Sequence, residues 1–209
     1  MRRALLWVAF AALAAPGASL GAQAGFYPAM QPSRIAAREY TFAVADLSGG
    51  TALVGQWREA LGRPGFQLTI DGGIVDADAS ATSTQLVLGA GVAYQAMTAT
   101  PDLPFDIVIG GGLGLSVGGG TGLRIPLGAT VGHRFELQDG VAVSPFVAPR
   151  LSWNRVSSGG ASASDSEIEV DLGATVEFTP TIAMRLAAIL GDNNAFALGL
   201  ALRPKGLRQ

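Results

Sequence analysis

The chain has no cysteine among its 209 residues, which excludes disulfides and cysteine-based metal sites. It has one lysine, Lys205, and one histidine, His133. Charged residues make up 14%, against roughly 25% in soluble proteins. A soluble barrel must cover its whole outside with polar groups, and this chain has few to place there. Long hydrophobic runs are missing too. After the N-terminal segment no apolar stretch reaches the ~18 residues of a spanning helix. Yet 49% of the residues are hydrophobic. Apolar content that is high but never continuous is what a membrane-spanning β-barrel requires.

Met1-Arg2-Arg3 is a short positive start, Ala4 to Ala15 is apolar, and Ala22-Gln23-Ala24 is a small-x-small cleavage site. Residues 1–24 therefore read as a secretory signal peptide, with an N-terminal anchor as the alternative. Without Arg2 and Arg3, 12 basic residues remain against 16 acids, a net charge near −4. That sign excludes a nucleic-acid partner.

What is present is a two-residue period. From Thr84 to Thr98 the even positions carry Leu86, Leu88, Ala90, Val92, Tyr94 and Ala96, and the odd ones Gln85, Val87, Gly89, Gly91, Ala93, Gln95 and Met97. Successive strand side chains point to opposite faces, so such a sheet has one greasy face and one of Gly, Thr and charge. Ten strand-like segments follow this period: 38–47, 51–58, 66–76, 84–98, 104–117, 122–137, 141–155, 165–178, 181–190 and 194–203. The expected fold is all-β: an up-and-down antiparallel transmembrane β-barrel of ten strands over 38–203. Eight strands is the alternative, with Glu39–Arg58 partly outside the wall. Residues 204–209 form a tail. Residues 25–37 read as a flexible periplasmic lead or as a short plug.

Connections alternate in length. Leu61–Gly65, Ala99–Leu103, Gln138–Gly140 and Thr179-Pro180 are short, whereas Ala77–Ser83 and Ser157–Ser164 are longer and rich in Ser, Gly and Ala. Short periplasmic turns and longer outer loops are the barrel rule. On the apolar parity, Tyr40, Trp57, Phe66, Tyr94, Phe105, Phe135 and Phe178 then fall at the periplasmic end, as interface aromatics do. Pro126, Pro145 and Pro149 lie inside strand assignments, and each implies a bulge or a gap in the ladder.

Parity sends the charges inward: Arg124, Arg134, Arg150, Arg185, Asp71, Asp106, Glu167, Glu169, Asp171 and Glu177. Folding about the Ser158–Ala161 tip sets Arg150 opposite Asp171, Ser152 opposite Glu169 and Asn154 opposite Glu167. Buried charges need partners, so these groups are expected to form an ion-pair network filling the lumen. A slightly anionic channel for small cations is the competing reading. Glu167, Glu169 and Asp171 could hold a divalent cation weakly, but neutralisation by Arg is preferred. His133 faces outward beside Phe135, away from Ser144 and Ser152, so no Ser–His–acid site converges. No enzyme, cofactor or metal is expected. On parity alone, Val170→Arg should block assembly and Glu169→Arg should be tolerated.

Leu123-Arg-Ile-Pro-Leu-Gly-Ala-Thr-Val-Gly-His-Arg-Phe135 and Pro145-Phe-Val-Ala-Pro-Arg-Leu151 resemble small bacterial outer-membrane β-barrel domain proteins, in which a strand closing in Gly-x-x-Phe leads into Pro-aromatic-x-x-Pro. The resemblance spans 38–203 and transfers no active site. It implies an outer-membrane location, insertion by a barrel-assembly machinery and contact with outer-membrane lipid. A monomer with a structural or surface role and no catalysis is expected. The rivals are a narrow passive pore for small solutes or cations, and a secreted soluble barrel with an apolar ligand inside. The usual terminal aromatic is absent, with Leu198, Leu200 and Leu202 in its place.

Overall fold

The structure, a computed structural model, describes residues 30–47, 50–77, 84–190 and 194–204. Residues 1–24, read above as a signal peptide, residues 78–83 of the Ala77–Ser83 connection and the tail from Lys205 lie outside these residues. The strands are β1 (Arg38–Leu47), β2 (Gly50–Ala60), β3 (Phe66–Ala77), β4 (Gln85–Met97), β5 (Asp106–Val117), β6 (Thr121–Gly132), β7 (Phe135–Glu136), β8 (Ala142–Ser158), β9 (Ala161–Thr179), β10 (Ile182–Leu190) and β11 (Ala195–Leu202). β6 and the two-residue β7 both pair with β8, so they are one wall strand interrupted at His133-Arg134. The wall thus has ten strands, and β1 pairs antiparallel with β11 to close it. Glu39–Arg58 lie within β1 and β2, which removes the eight-strand alternative.

Closure fixes the tilt. A walk from Leu123 on β6 through successive cross-strand partners (Leu115, Leu88, Gly72, Gly55, Phe42, Leu200, Met184, Val176, Val143) returns at Phe135, twelve residues farther along the same strand. Ten strands with that stagger tilt about 40° from the barrel axis.

The two-residue period decides which face is which. Leu86 and Leu88 are 50% and 53% exposed, and Val87 between them is 1% exposed. Every wall strand exposes large apolar side chains in this way, from Phe42 on β1 to Leu200 on β11. Such a belt is far larger than a soluble monomer exposes, and it overturns the soluble barrel with its aliphatic set turned inward. All seven interface aromatics lie at the end bearing the short turns. Phe66 stacks on Tyr94 with ring centroids 4.7 Å apart.

Three local expectations are corrected or sharpened. Ser157–Ser164 is not a long loop: β8 and β9 stay paired out to Ser158 and Ala161. Only Gly159 and Gly160 form the turn, with φ of 59° and 86°. Two successive positive φ values twist a hairpin in the sense its strands prefer, and glycine adopts them without strain. The prolines make gaps rather than bulges. The β5–β6 pairing skips Pro126 and resumes in the same register, and β6–β8 does the same at Pro149. Pro145 lies at the His133-Arg134 interruption, where its carbonyl accepts the His133 N–H.

The third change concerns the interior, which is not polar throughout. Ala45, Leu47, Ala52, Val54, Val75, Val87, Ile189 and Ala197 form a buried apolar cluster inside the wall. These residues lie toward the long-loop ends of β1–β4, β10 and β11. Below them the described part of the N-terminal segment is packed into the mouth at the short-turn end. Met30, Gln31 and Ser33 are buried there. Residues 30–37 thus sit in the mouth as a plug, and residues 25–29 of the same segment lie outside the described residues.

Candidate functional site

Two ion-pair centres occupy the interior. The first is built on β8 and β9. Arg150 Nε donates to Glu169 Oε2 at 2.6 Å, and Arg150 Nη1 to Asp171 Oδ2 at 2.9 Å. Arg124 from β6 reaches Glu169 and lies 3.2 Å from Glu167. Ser152 donates to Glu169 and Asn154 to Glu167. The backbone register is two residues from the expected one, with Arg150 paired to Glu169, Ser152 to Glu167 and Asn154 to Asp165. A shift of two keeps every side chain on its face. The three expected side-chain pairs form all the same, as diagonal contacts within reach on a twisted sheet. The three carboxylates are engaged by Arg124 and Arg150, and no metal-competent cluster of acids occurs among the described residues.

The second centre sits lower and was missed by parity reasoning. Glu39 on β1 is buried and receives three guanidiniums. Arg58 Nη1 lies at 2.7 Å, Arg185 Nη2 at 3.2 Å and Arg203 Nε at 2.9 Å. Arg185, expected in the lumen network, belongs here. One carboxylate cannot neutralise three cations, and the plug supplies a further acceptor. The Met30 carbonyl takes a hydrogen bond from Arg58 Nη2 at 2.8 Å and from Arg185 Nη1 at 2.9 Å. Glutamines hold the rest of the plug. Gln95 donates to the Ser33 carbonyl and accepts from the Ile35 N–H, and Gln67 donates to the Ala36 carbonyl. Gly132 and Gly199 line its bed. A Cβ on Gly199 would lie 2.6 Å from Met30 Cε, and one on Gly132 would lie 2.6 Å from Ser33 Oγ. The glycines of the inner face are here the floor of a filled lumen.

Arg134 and Glu177 pair at the short-turn rim, with Nε–Oε2 2.9 Å. Arg203 also reaches Glu177. Asp106 departs from expectation. It is buried, but it makes no ion pair among the described residues, and its Oδ1 accepts the Ala99 N–H at 3.0 Å. It caps the turn before β5. Asp71 is buried, and neither carboxylate oxygen receives a hydrogen bond from the described protein groups. His133 packs edge-on against Phe135 and contacts the Pro104 carbonyl, outside the interior.

The missed residues carried a signal. β1 and β2 pair Glu39 directly with Arg58, and Glu39 shares the inward parity of Thr41 and Ala43. Folding that hairpin on paper would have brought the two charges together.

No protein-family model matches the chain, and no curated protein sequence matches it. Solved structures do. The β domain of the Bordetella autotransporter BrkA superposes with a TM-score of 0.52 at 12% identity, covering 80% of this chain and 98% of that one. LpxR from Salmonella typhimurium gives 0.44 at 11% identity, covering 82% and 86%. The KdgM porin gives 0.41 at 8%, covering 79% and 99%. At these identities the likeness is one of fold: the chain is a ten-strand, antiparallel, closed barrel like those of the bacterial outer membrane, with buried ion pairs inside it.

Proposed function

We propose that the chain is a closed outer-membrane barrel with a structural or surface role and no catalysis. The observation that carries this reading is the plug, with the Met30 carbonyl bound by Arg58 and Arg185 inside the mouth. A solute path would have to pass that segment, the Glu39 centre and the apolar cluster above. The short-turn end faces the periplasm, and the long-loop end faces outward. There the β9 edge of the β8–β9 hairpin extends beyond β10, which pairs with β9 only from Val170 onward, while β8 stays paired with β6 as far as Ser157. The residues of β9 from Ala161 to Ser166 are exposed on both faces, so this ribbon is the part offered to the exterior. The chain works as a monomer, inserted by the barrel-assembly machinery and solvated by outer-membrane lipid.

The test is single-channel recording on refolded protein in planar bilayers. The closed reading expects no stepwise conductance. Stepwise conductance would replace it with the narrow-pore reading. Location is tested separately by membrane fractionation and by a heat-dependent mobility shift on a denaturing gel.

A further inference from the structure

The short-turn mouth holds a cavity of about 290 Å³ between the plug and the wall. Its charged and hydroxyl lining is unbalanced. Arg34 from the plug, Arg134 from the β6–β7 interruption and Arg203 after β11 border it, with Glu177 as the one carboxylate and with Ser144 and Thr175 on the wall. Arg134 and Arg203 share Glu177 between them. The other carboxylate on Arg134 is that of Glu136, whose side chain is 78% exposed. The other on Arg203 is Glu39, which already serves Arg58 and Arg185. Arg34 is exposed and makes no ion pair among the described residues. Among the residues that line the cavity itself, Arg34, Arg134 and Arg203 face the single carboxylate of Glu177. The centre on β8 and β9 has the opposite bias, two guanidiniums to three carboxylates. The surplus of positive charge is therefore local to the mouth and concave.

Guanidinium groups grip carboxylates and phosphates through paired N–H donors. Arg134 uses Nε and Nη1 within the chain, as does Arg203, which leaves Nη2 of each for a ligand. Glu177 fixes both guanidiniums from behind. The volume sits at the small end of ligand sites, about 300 Å³. We propose that this cavity binds a small oxyanion-bearing ligand, a carboxylate or phosphate held by Arg34, Arg134 and Arg203 with its neutral part against Ser144 and Thr175. The site opens at the short-turn end and does not depend on whether the lumen above it conducts.

The probes are inorganic phosphate and glutarate, titrated calorimetrically into the refolded full-length barrel in detergent micelles at low ionic strength. Saturable binding of at least one is expected, together with a raised thermal unfolding midpoint. Preference for one probe distinguishes a phosphate source from a carboxylate source. Arg34→Gln should weaken binding about tenfold without moving the midpoint of the unliganded protein, since Arg34 is exposed and makes no ion pair among the described residues. Arg155→Gln, at the opposite end, should leave affinity unchanged. No saturable binding of either probe overturns the proposal. So does equal affinity in the Arg34 variant, or equal weakening by both variants.

Discussion

The Met30 carbonyl oxygen lies 2.9 Å from Arg185 Nη1, across 155 residues of sequence. Arg185 therefore ties β10 to the plug, and through Glu39 it ties β10 to β1 as well. Glu39 is the hub of this arrangement, because three guanidiniums converge on its carboxylate.

That asymmetry predicts an order of effects. Glu39→Gln strips the carboxylate from Arg58 and Arg185, both at most 1% exposed. Removing one partner from buried charges costs about 3–5 kcal/mol. Arg185→Gln leaves Glu39 with Arg58 and Arg203, and leaves the Met30 carbonyl with Arg58, while relieving a repulsion. Its cost should be smaller, about 1–3 kcal/mol. Urea unfolding in micelles, followed by the folded-barrel gel shift, reads both. The reverse order would mean that Glu39 is not the hub.

A second prediction separates the two faces. Leu113 points outward midway along β5, level with Ala90 and between the rim aromatics and the long-loop end. Leu113→Arg puts a guanidinium in the hydrocarbon at a cost of about 2–4 kcal/mol and should abolish the heat-modifiable folded form. Ser164→Arg lies on the exposed part of β9 and should assemble normally. Glu169→Arg, which parity alone marks as tolerated, should instead fail. It would set a third guanidinium against Arg124 and Arg150 with no carboxylate in place of Glu169. Equal assembly of the Leu113 and Ser164 variants would remove the membrane belt.

The reach and the limit of the sequence follow from these residues. Segments such as Phe105–Val117 and Glu167–Phe178 were legible because one parity is aliphatic and the other Gly or charge. β1, β2, β10 and β11 were harder, because their inward positions carry Ala45, Val54, Ala187 and Ile189 and both faces are apolar. Pairs such as Arg150–Asp171 emerged despite a two-residue register error, since side chains on one face lie within diagonal reach. The plug was undecidable. The wall holds it by its backbone, the Met30, Ser33 and Ala36 carbonyls accepting from Arg58 and Arg185, Gln95 and Gln67, and backbone acceptors leave no periodic trace. Arg203 ends the segment 194–203 on the inward parity of Gly199 and Ala201, so the alternation gives its face but not its partners, which lie on β1 and β9.

The plug's bed gives a third prediction. A methyl on Gly132 would meet Ser33 Oγ at 2.6 Å and the Pro145 carbonyl at 2.7 Å. Gly132→Ala should therefore destabilise by about 1–3 kcal/mol through overpacking. Ser33→Gly in that background removes one of the two clashes and should recover part of the loss. A double-mutant cycle measures the coupling. Independent, additive effects would mean that the segment does not rest on Gly132.

The last prediction concerns the outer ribbon. Gly159 and Gly160 turn the chain with two positive φ values, and the strands are paired to within one residue of them. Asn tolerates the left-handed region, whereas a β-branched residue there is strained by about 1–3 kcal/mol. Gly159→Asn should leave the hairpin closed. Gly160→Val should open its tip and fray the pairing downward past Ser157–Ser162. Arg155, exposed and paired with Ser164, is the trypsin site nearest that tip among the described residues. Limited trypsinolysis of the refolded protein should cut after Arg155 faster in the Val variant than in the Asn variant or the parent. Equal rates in all three would mean that the ribbon is already open in solution, and the exterior would then meet a loop instead of an ordered hairpin.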